Sequence, residues 1–265
     1  MNIDYICNQL NENGVVIIKD FVNNDVCDKI IRDFNKCVNN MNENEKIYTE
    51  SGNYSRLYNL NLTSENLNKL LFDDRLMKIL DKYFNHRTAL NSTIFFHEGS
   101  QQPIHRDTPY FWSEPNGGKF VGVWFALEDI DATNGKLEYF PKGHKIKVDY
   151  VKFANENQNM SPKNLSDSFG NYIHALCIKE GLNLVSPDIK KGDVIIWHAE
   201  LPHGGTKITE IGKTRYSCVA HYLPENSYVT TIDYFWGRSK YEKIMNFTDT
   251  INNRKKRDLN DIKFA

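Results

Sequence analysis

The residues of this chain best suited to chemistry are a histidine and a carboxylate two positions apart, His105 and Asp107. On a β-strand, positions i and i+2 face the same side, so an imidazole nitrogen and a carboxylate oxygen would project into one cavity. A His-x-Asp pair alone is more often a solvated surface pair. A second histidine on a distant strand would complete three metal ligands, and His198 and His203 are both of the right type.

Two histidines and one carboxylate occupy one face of an octahedron and leave three positions open. This arrangement suits non-haem iron(II), because a bidentate co-substrate and O₂ must bind together. A structural zinc site would close all four positions and would favour cysteine. None of the five cysteines lies near either motif: Cys7, Cys27, Cys37, Cys177 and Cys218. The sequence therefore predicts an iron(II) site.

Arg215 supplies a cation of the kind that 2-oxoglutarate requires. This co-substrate chelates iron through its C1 carboxylate and C2 ketone, so its far carboxylate needs a positive partner. A guanidinium binds a carboxylate bidentately and stays charged at any working pH. Arg215 stands twelve residues after His203, far enough to turn one hairpin and return on the adjoining strand. Ser217, at i+2, shares its face and is predicted to donate a hydroxyl hydrogen bond to the same carboxylate.

The elements that must position these residues are short strands. From residue 89 onward, apolar or alternating runs are separated by Gly, Pro, Asn and Asp, which is typical of an antiparallel sandwich or barrel. These runs cover residues 90–97, 120–127, 136–140, 193–198 and 215–222. Before them, the spacing predicts a strand at 14–18, a helix over 24–40 and a helix over about 64–84. The predicted fold is mainly β with flanking helices.

The length of 265 residues suits one domain of this kind. We predict an N-terminal helical layer over residues 1–88, a β core over 89–222 and a C-terminal tail over 223–265. The strand rhythm breaks between residues 151 and 190, where the sequence is long, polar and spotted with aromatic residues. Insertions of this length in a compact β domain are often lids over a site, so we interpret 151–190 as a lid-like insertion.

Several blocks of the chain, taken in order, resemble the phytanoyl-CoA dioxygenase (PhyH-like) family of iron and 2-oxoglutarate oxygenases. They are ENGVVI (12–17), FHEGS (96–100) before His105 and Asp107, WFALED (124–129), NGKL (134–137), PKGH (141–144), GD (192–193), HG (203–204) and then Arg215. The resemblance runs from about residue 13 to about residue 223. It implies a double-stranded β-helix, the cupin-like jelly roll, which agrees with the strand rhythm.

The same resemblance implies roles for single residues. His105, Asp107 and His203 would be the iron ligands, which favours His203 over His198, and Arg215 would anchor 2-oxoglutarate. Trp124 matches a tryptophan of the family's central strand, where it lines the pocket or packs in the core. The family often has serine after His-Gly, and this chain has Gly205 there, so Ser217 or Thr206 would have to replace that hydroxyl.

By this resemblance, the expected reaction uses Fe(II), 2-oxoglutarate and O₂, with ascorbate as an assisting reductant. It hydroxylates a carbon of a small molecule and releases succinate and CO₂. Related halogenases replace the carboxylate ligand with a small residue, so Asp107 favours hydroxylation. Two alternatives stay open, a metal-dependent cupin-type isomerase or hydrolase and a non-catalytic binding barrel. Arg215 argues against the first and the full ligand set against the second.

Charge and composition limit the classes of binding partner and the compartment that we expect for this protein. The 33 Lys and Arg residues against 34 Asp and Glu give a net charge of −1, without the basic excess of a nucleic-acid binder. The one basic cluster, at 254–257, is interpreted as a solvated face. Cysteines that are odd in number and irregularly spaced predict free thiols in a reducing compartment. No apolar run approaches the ~18 residues of a membrane helix. We therefore expect a cytoplasmic protein that acts on a small polar metabolite.

The remaining histidines are interpreted as structural or surface residues: His86, His97, His144, His174 and His221. His221 is nominally on the face of Arg215, but a hydrogen-bonded core position is the favoured interpretation. The aromatic run at 110–112 follows the first ligands directly. It is equally consistent with a wall of the substrate pocket and with packing under the barrel.

Overall fold

The computed structural model describes residues 1–115 and 117–239 in full and the backbone of 249–250 and 263–264. Four helices form the N-terminal layer: α1 (Ile3–Asn13), α2 (Asn24–Asn39), α3 (Glu65–Leu71) and α4 (Asp74–Phe84). Each begins after a residue whose side chain accepts a backbone N–H, the usual N-cap interaction: Asn2, Asn23, Ser64 and Asp73. The basic cluster at 254–257 lies outside the described residues.

This layer differs from the sequence prediction at two points. Helix α1 was not predicted, although its buried residues Ile6 and Leu10 are spaced one turn apart. The single helix predicted over 64–84 is two helices. Asp73 has an extended backbone and caps α4 by accepting from the N–H of Arg75 at 2.8 Å, so the chain turns there. An Asp that caps one helix ends the preceding one, because its own backbone is not helical.

The core of the protein is an antiparallel sheet. Its strands are β1 (Val15–Ile18), β2 (Leu57–Tyr58), β3 (Thr88–Phe96), β4 (Ser113–Glu114), β5 (Val121–Ala126), β6 (Leu137–Tyr139), β7 (Val194–His198), β8 (His203–Gly205), β9 (Ser217–Pro224), β10 (Tyr228–Val229), β11 (Asp249–Thr250) and β12 (Lys263–Phe264). The large sheet has the order β1-β7-β5-β9-β3-β2-β12, and β11 also pairs with β3. Two small sheets, β6-β8 and β4-β10, complete a jelly roll with flanking helices, as predicted.

Strict alternation gives the large sheet two buried faces. In β5, Val123 and Phe125 face the N-terminal helices and join one core with Leu10 and Phe34. Trp124, between them, faces the interior of the jelly roll, where a second core contains residues of β3, β7 and β9. Because successive side chains in a strand point to opposite faces, this pattern fixes which residues reach the interior cavity.

Two helices fill most of the predicted insertion at 151–190: α5 (Tyr150–Glu156) and α6 (Pro162–Lys179). They pack with the short α7 (Ile232–Phe235) and Trp236 around a third core, and the Trp236 indole donates to the Ser166 hydroxyl at 2.8 Å. A side chain at Gly170 would come within 2.4 Å of the Ile104 carbonyl. The backbone of α6 therefore lies directly against the segment that carries His105. Among the described residues, no helix is long and apolar enough to cross a bilayer.

Candidate metal centre

His105 and His203 lie side by side because the backbone pairs them. The N–H of each residue donates to the carbonyl of the other, at 2.9 and 3.0 Å, in an isolated antiparallel bridge next to β8. In a directly opposed pair of this type the side chains project from the same face, and the two imidazole centroids are 4.4 Å apart. Two histidines almost a hundred positions apart in sequence thus lie next to each other on the same face of the backbone.

Asp107 completes a group whose ligand atoms all lie within 4.8 Å of one another. Its carboxylate oxygens are 3.6 Å from Nε2 of His105 and 3.7 Å from Nε2 of His203. The Nδ1 atoms of the two histidines face the carbonyls of Pro103 and Leu201 at 2.8 and 2.9 Å. Such hydrogen bonds place the ring protons on Nδ1 and leave the Nε2 lone pairs for a metal. The donor set therefore fits a divalent cation.

Burial and charge keep these groups in their metal-binding states. Burial lowers the pKa of His203 to about 4, although Asp107 opposes the shift, so the imidazole is neutral at pH 7. Burial alone would raise the pKa of Asp107, but the neighbouring His203 and His105 hold it well below its usual range. The Trp197 indole also donates to the Asp107 carboxylate at 2.8 Å. The carboxylate is therefore ionised, oriented and only 5% exposed.

The three residues border a cavity of about 500 Å³ between the large sheet and α6. Arg215 lies in the same cavity, 2% exposed, and its guanidinium carbon is 5.5 Å from the ring centroids of both Trp124 and Phe96. Its Nη1 donates to the Gly135 carbonyl at 2.8 Å, whereas its buried Nε has no hydrogen-bond partner among the described residues. A buried cation with an unused donor beside the cavity fits a bound carboxylate.

A known protein family shares the sequence pattern of this chain. The family model for phytanoyl-CoA dioxygenase (PhyH) matches residues 10–211. The chain belongs to this family. It is thus a PhyH-family protein of the iron and 2-oxoglutarate oxygenase type, as the sequence motifs predicted. No curated protein sequence matches it.

Solved structures share the fold of this PhyH-family protein. The carbocyclase SnoK from nogalamycin biosynthesis is 13% identical, with 91% of this chain and 92% of that chain covered and a TM-score of 0.67. The epimerase SnoN, in complex with Fe³⁺, α-ketoglutarate and nogalamycin RO, is 12% identical over 87% and 86%, with a TM-score of 0.62. HygX from Streptomyces hygroscopicus, with nickel and 2-oxoglutarate bound, is 15% identical over 84% and 87%, with a TM-score of 0.58. At these identities the likeness shows the jelly-roll fold.

The hydroxyls predicted to assist Arg215 lie close to it in this PhyH-family protein. Ser217 is fully buried, and its hydroxyl donates to the Arg215 carbonyl at 3.3 Å. Thr206 follows Gly205 at the end of β8, and its buried hydroxyl has no partner among the described residues. Neither side chain borders the cavity described above, whereas Trp124 does. A contact from Ser217 or Thr206 to the co-substrate stays a prediction.

The other histidines divide by position. His198 lies outside the metal-binding group: its Nδ1 accepts from the Glu200 N–H at 3.0 Å, and its ring lies 5.1 Å from that of His144. His221 combines both of its predicted positions. It borders the cavity, bonds the Ser92 hydroxyl at 3.2 Å and stacks on Phe111 with centroids 4.1 Å apart. In the aromatic run, Tyr110 and Phe111 border the cavity, and Trp112 instead packs against Phe235.

Several residues that border the cavity were not predicted from the sequence, among them the polar residues Arg56, Tyr58, Lys163 and Asp167. Tyr58 of β2 and Arg56, which directly precedes β2, both reach the cavity, and a two-residue strand has too little pattern to detect. Lys163 and Asp167 stand one turn apart on α6, so recognising 162–179 as a helix would have placed them on one face.

The buried His198 predicts a pH dependence of stability. Burial and the neighbouring His144 lower the pKa of His198 from 6.5 to about 4. The unfolded state therefore binds more protons than the folded state between these values, and stability falls as the pH falls through this window. From pH 7 to pH 5 the loss from this residue is about 2 kcal/mol.

The check is urea unfolding of the metal-stripped protein at pH 7 and pH 5. His198→Asn keeps an acceptor for the Glu200 N–H and cannot titrate, so its loss of stability between the two pH values should be smaller than that of wild type. His86→Asn, at an exposed position, serves as the control and should behave like wild type. An equal pH dependence in the His198 variant and wild type would contradict the prediction.

Proposed function

We propose that this PhyH-family protein is an iron(II)- and 2-oxoglutarate-dependent dioxygenase that hydroxylates a carbon of a small-molecule substrate. The observation that carries the proposal is the joint placement of four side chains in one cavity. His105, Asp107 and His203 present their ligand atoms within 4.8 Å of one another, and the buried guanidinium of Arg215 borders the same space. Metal ligands alone would fit many reactions, but a buried cation beside them favours a co-substrate with a second carboxylate.

Each protein group has a defined task in this proposal. His105, Asp107 and His203 hold the metal on one face and leave the other positions open. Iron(II) bound there would supply the oxidising chemistry by which 2-oxoglutarate and O₂ give succinate, CO₂ and a hydroxylated substrate. Arg215 holds the far carboxylate of 2-oxoglutarate, and its bond to the Gly135 carbonyl fixes the guanidinium beforehand. The apolar rings of Trp124 and Phe96 keep water away from that ion pair, which strengthens it.

The test is succinate formation from 2-oxoglutarate by the purified protein, with iron(II) and ascorbate under air, compared with Arg215→Ala. Because Arg215→Ala removes two charge-assisted hydrogen bonds, each worth about 1.5–3 kcal/mol, we expect the apparent KM for 2-oxoglutarate to rise by about a hundredfold or more. Arg32→Ala, an exposed arginine of α2, is the matched control and should keep the wild-type KM.

Two further outcomes separate the proposal from its alternatives. If wild-type protein with iron(II) neither binds 2-oxoglutarate nor forms succinate, the oxygenase proposal fails and a cupin-type isomerase, hydrolase or binding barrel becomes the better assignment. If succinate is formed and a substrate is found, the mass of the product identifies the reaction. A hydroxylase adds one oxygen atom, an epimerase leaves the mass unchanged and a carbocyclase removes two hydrogens. We expect the added oxygen. Because Asp107 keeps the metal-binding carboxylate, we do not expect the added halogen of a halogenase.

A further inference from the structure

Arg56 reaches the cavity because of the register of β2. Leu57 pairs with Phe95 and Tyr58 with Ile94, so Arg56 lies opposite Phe96, just beyond the last paired residues. Leu57 is fully buried on the side of the N-terminal helices. The alternation of a strand therefore turns Arg56 and Tyr58 to the interior side, where both border the metal cavity.

The charge of Arg56 has no counterion in the part of the chain that the structure describes. Its guanidinium carbon lies 5.6 Å from the centroid of the Phe96 ring. Arg215, in the segment that leads into β9, contacts the same ring at 5.5 Å. Among the described residues, no carboxylate lies within 4 Å of it. The positive charge of Arg56 also affects Arg215. Burial lowers the pKa of the Arg215 guanidinium to about 10, repulsion from Arg56 contributes to this shift, and the negative charge of Glu128 opposes it.

Binding of the metal and co-substrate would not remove this imbalance. The two positive charges of iron(II) and the charge of Arg215 are matched by the carboxylate of Asp107 and the two carboxylates of 2-oxoglutarate. Arg56 remains as a half-buried cation at the edge of the loaded site. A half-buried guanidinium without a counterion among the described residues is best satisfied by an anion that arrives with a ligand.

The position of Arg56 separates it from the co-substrate anchor. Besides the metal cavity, it borders a second cavity of about 500 Å³, and Phe96 and Ser100 also border both. Arg56 therefore stands where the two cavities meet, whereas Arg215 borders the metal cavity alone. A molecule longer than 2-oxoglutarate can extend past Arg56 toward this second space.

We propose that Arg56 recognises an anionic group, a carboxylate or a phosphate, on the primary substrate. This inference rests on the proposed oxygenase function and narrows its substrate to molecules with a negative group some distance from the oxidised carbon. Arg56 binds that group and so orients the reacting carbon toward the metal. It acts in substrate selection and takes no part in holding 2-oxoglutarate.

The test uses full-length protein loaded with nickel(II) in place of iron and with saturating 2-oxoglutarate, so that Arg215 is already occupied. Phenylacetate, phenyl phosphate and the neutral phenylacetamide are titrated by calorimetry into wild type, Arg56→Gln and Arg56→Lys. In wild type we expect at least one anion to bind about tenfold or more tightly than the amide. Arg56→Gln should lose this preference, and Arg56→Lys should keep part of it. The better of the two anions identifies carboxylate or phosphate.

The affinity for 2-oxoglutarate shows whether Arg56 belongs to the co-substrate site, and the control variant Arg32→Gln shows whether the loss of any arginine weakens anion binding. We expect both Arg56 variants to bind 2-oxoglutarate within about twofold of wild type, and Arg32→Gln to keep the preference for anions. An equal preference in Arg56→Gln and wild type, or no preference in wild type, overturns the inference. A large loss of 2-oxoglutarate affinity in Arg56→Gln also overturns it, because Arg56 would then belong to the co-substrate site. Failure of wild type to bind 2-oxoglutarate overturns the proposed function as well.

Discussion

Replacing Asp107 by alanine is expected to reduce succinate formation by more than about a hundredfold, because loss of residues that merely support metal ligands already costs about ten- to a hundredfold. Asp107 supplies the only carboxylate in the group of candidate ligands. Without it, two imidazoles whose ring centroids are 4.4 Å apart would have to hold a divalent cation with no negative ligand in a buried cavity, where an uncompensated charge is costly. The measurements are iron content by mass spectrometry and succinate release from 2-oxoglutarate.

The control for Asp107→Ala is Asp188→Ala. Asp188 is an exposed carboxylate that forms a surface ion pair with Lys136 at 3.2 Å, and such pairs contribute little to stability. This variant should keep wild-type iron content and activity. Circular dichroism would show that both variants are folded. An Asp107→Ala protein that binds iron and forms succinate at the wild-type rate would show that the metal is held elsewhere.

The sequence predicted well those features that depend on local pattern. Short apolar runs located β1, β3, β5, β7 and β9 within one or two residues at each end. These strands are buried on both faces, and such strands appear in a sequence as short apolar runs bounded by turn residues. The candidate ligands, which the structure brings together, were proposed from short motifs, but the choice of His203 over His198 needed the family resemblance. Both histidines are chemically suitable. The backbone bridge between His105 and His203 places the His203 side chain, and not that of His198, beside His105.

Features that depend on tertiary contacts were not predictable in the same way. Arg56 enters the cavity through the pairing of β2 with β3, a contact between segments almost forty residues apart. The helix α6 was interpreted as part of an irregular insertion because it contains Gly170 and begins at Pro162, both poor signals for a helix interior. In the structure the proline stands in the first turn, where it is tolerated. The glycine allows α6 to approach the Ile104 carbonyl.

Arg106, between His105 and Asp107, forms a buried hydrogen-bond network that the sequence did not predict. Its side chain is 1% exposed and points away from the cavity. It donates to the Glu200 carboxylate at 2.7 Å and to the carbonyls of Gly143 and Ile146 at 2.9 and 2.8 Å. Glu200 also accepts from Tyr150 at 2.6 Å and from Thr108 at 2.5 Å. This network joins the segment of His105 and Asp107 to the segment that leads into His203.

Replacing Arg106 by methionine is therefore expected to have two effects. Arg106 is 1% exposed and Glu200 is 22% exposed. Removing Arg106 leaves a partly buried carboxylate without its cation, so we expect a loss of about 3 kcal/mol of unfolding free energy, the low end for buried pairs. Because the network holds the two ligand-bearing segments together, the metal affinity should also fall by about ten- to a hundredfold. Arg106→Lys keeps the charge but cannot reproduce the fork of hydrogen bonds, so it should show an intermediate loss of both. Urea unfolding and metal titration measure the two effects separately.

A double-mutant cycle distinguishes positioning from a general loss of stability. In Arg106→Met/Glu200→Gln a neutral amide replaces the partly buried carboxylate, so the unfolding free energy should recover by about 0.5–3 kcal/mol relative to the sum of the single variants. The metal affinity should not recover, because the contacts that Arg106 makes between the two segments are still absent. If metal affinity instead followed stability through all three variants, Arg106 would act on the fold alone. If Arg106→Met bound metal as tightly as wild type, the ligands would be held in place by their backbone bridge without this network.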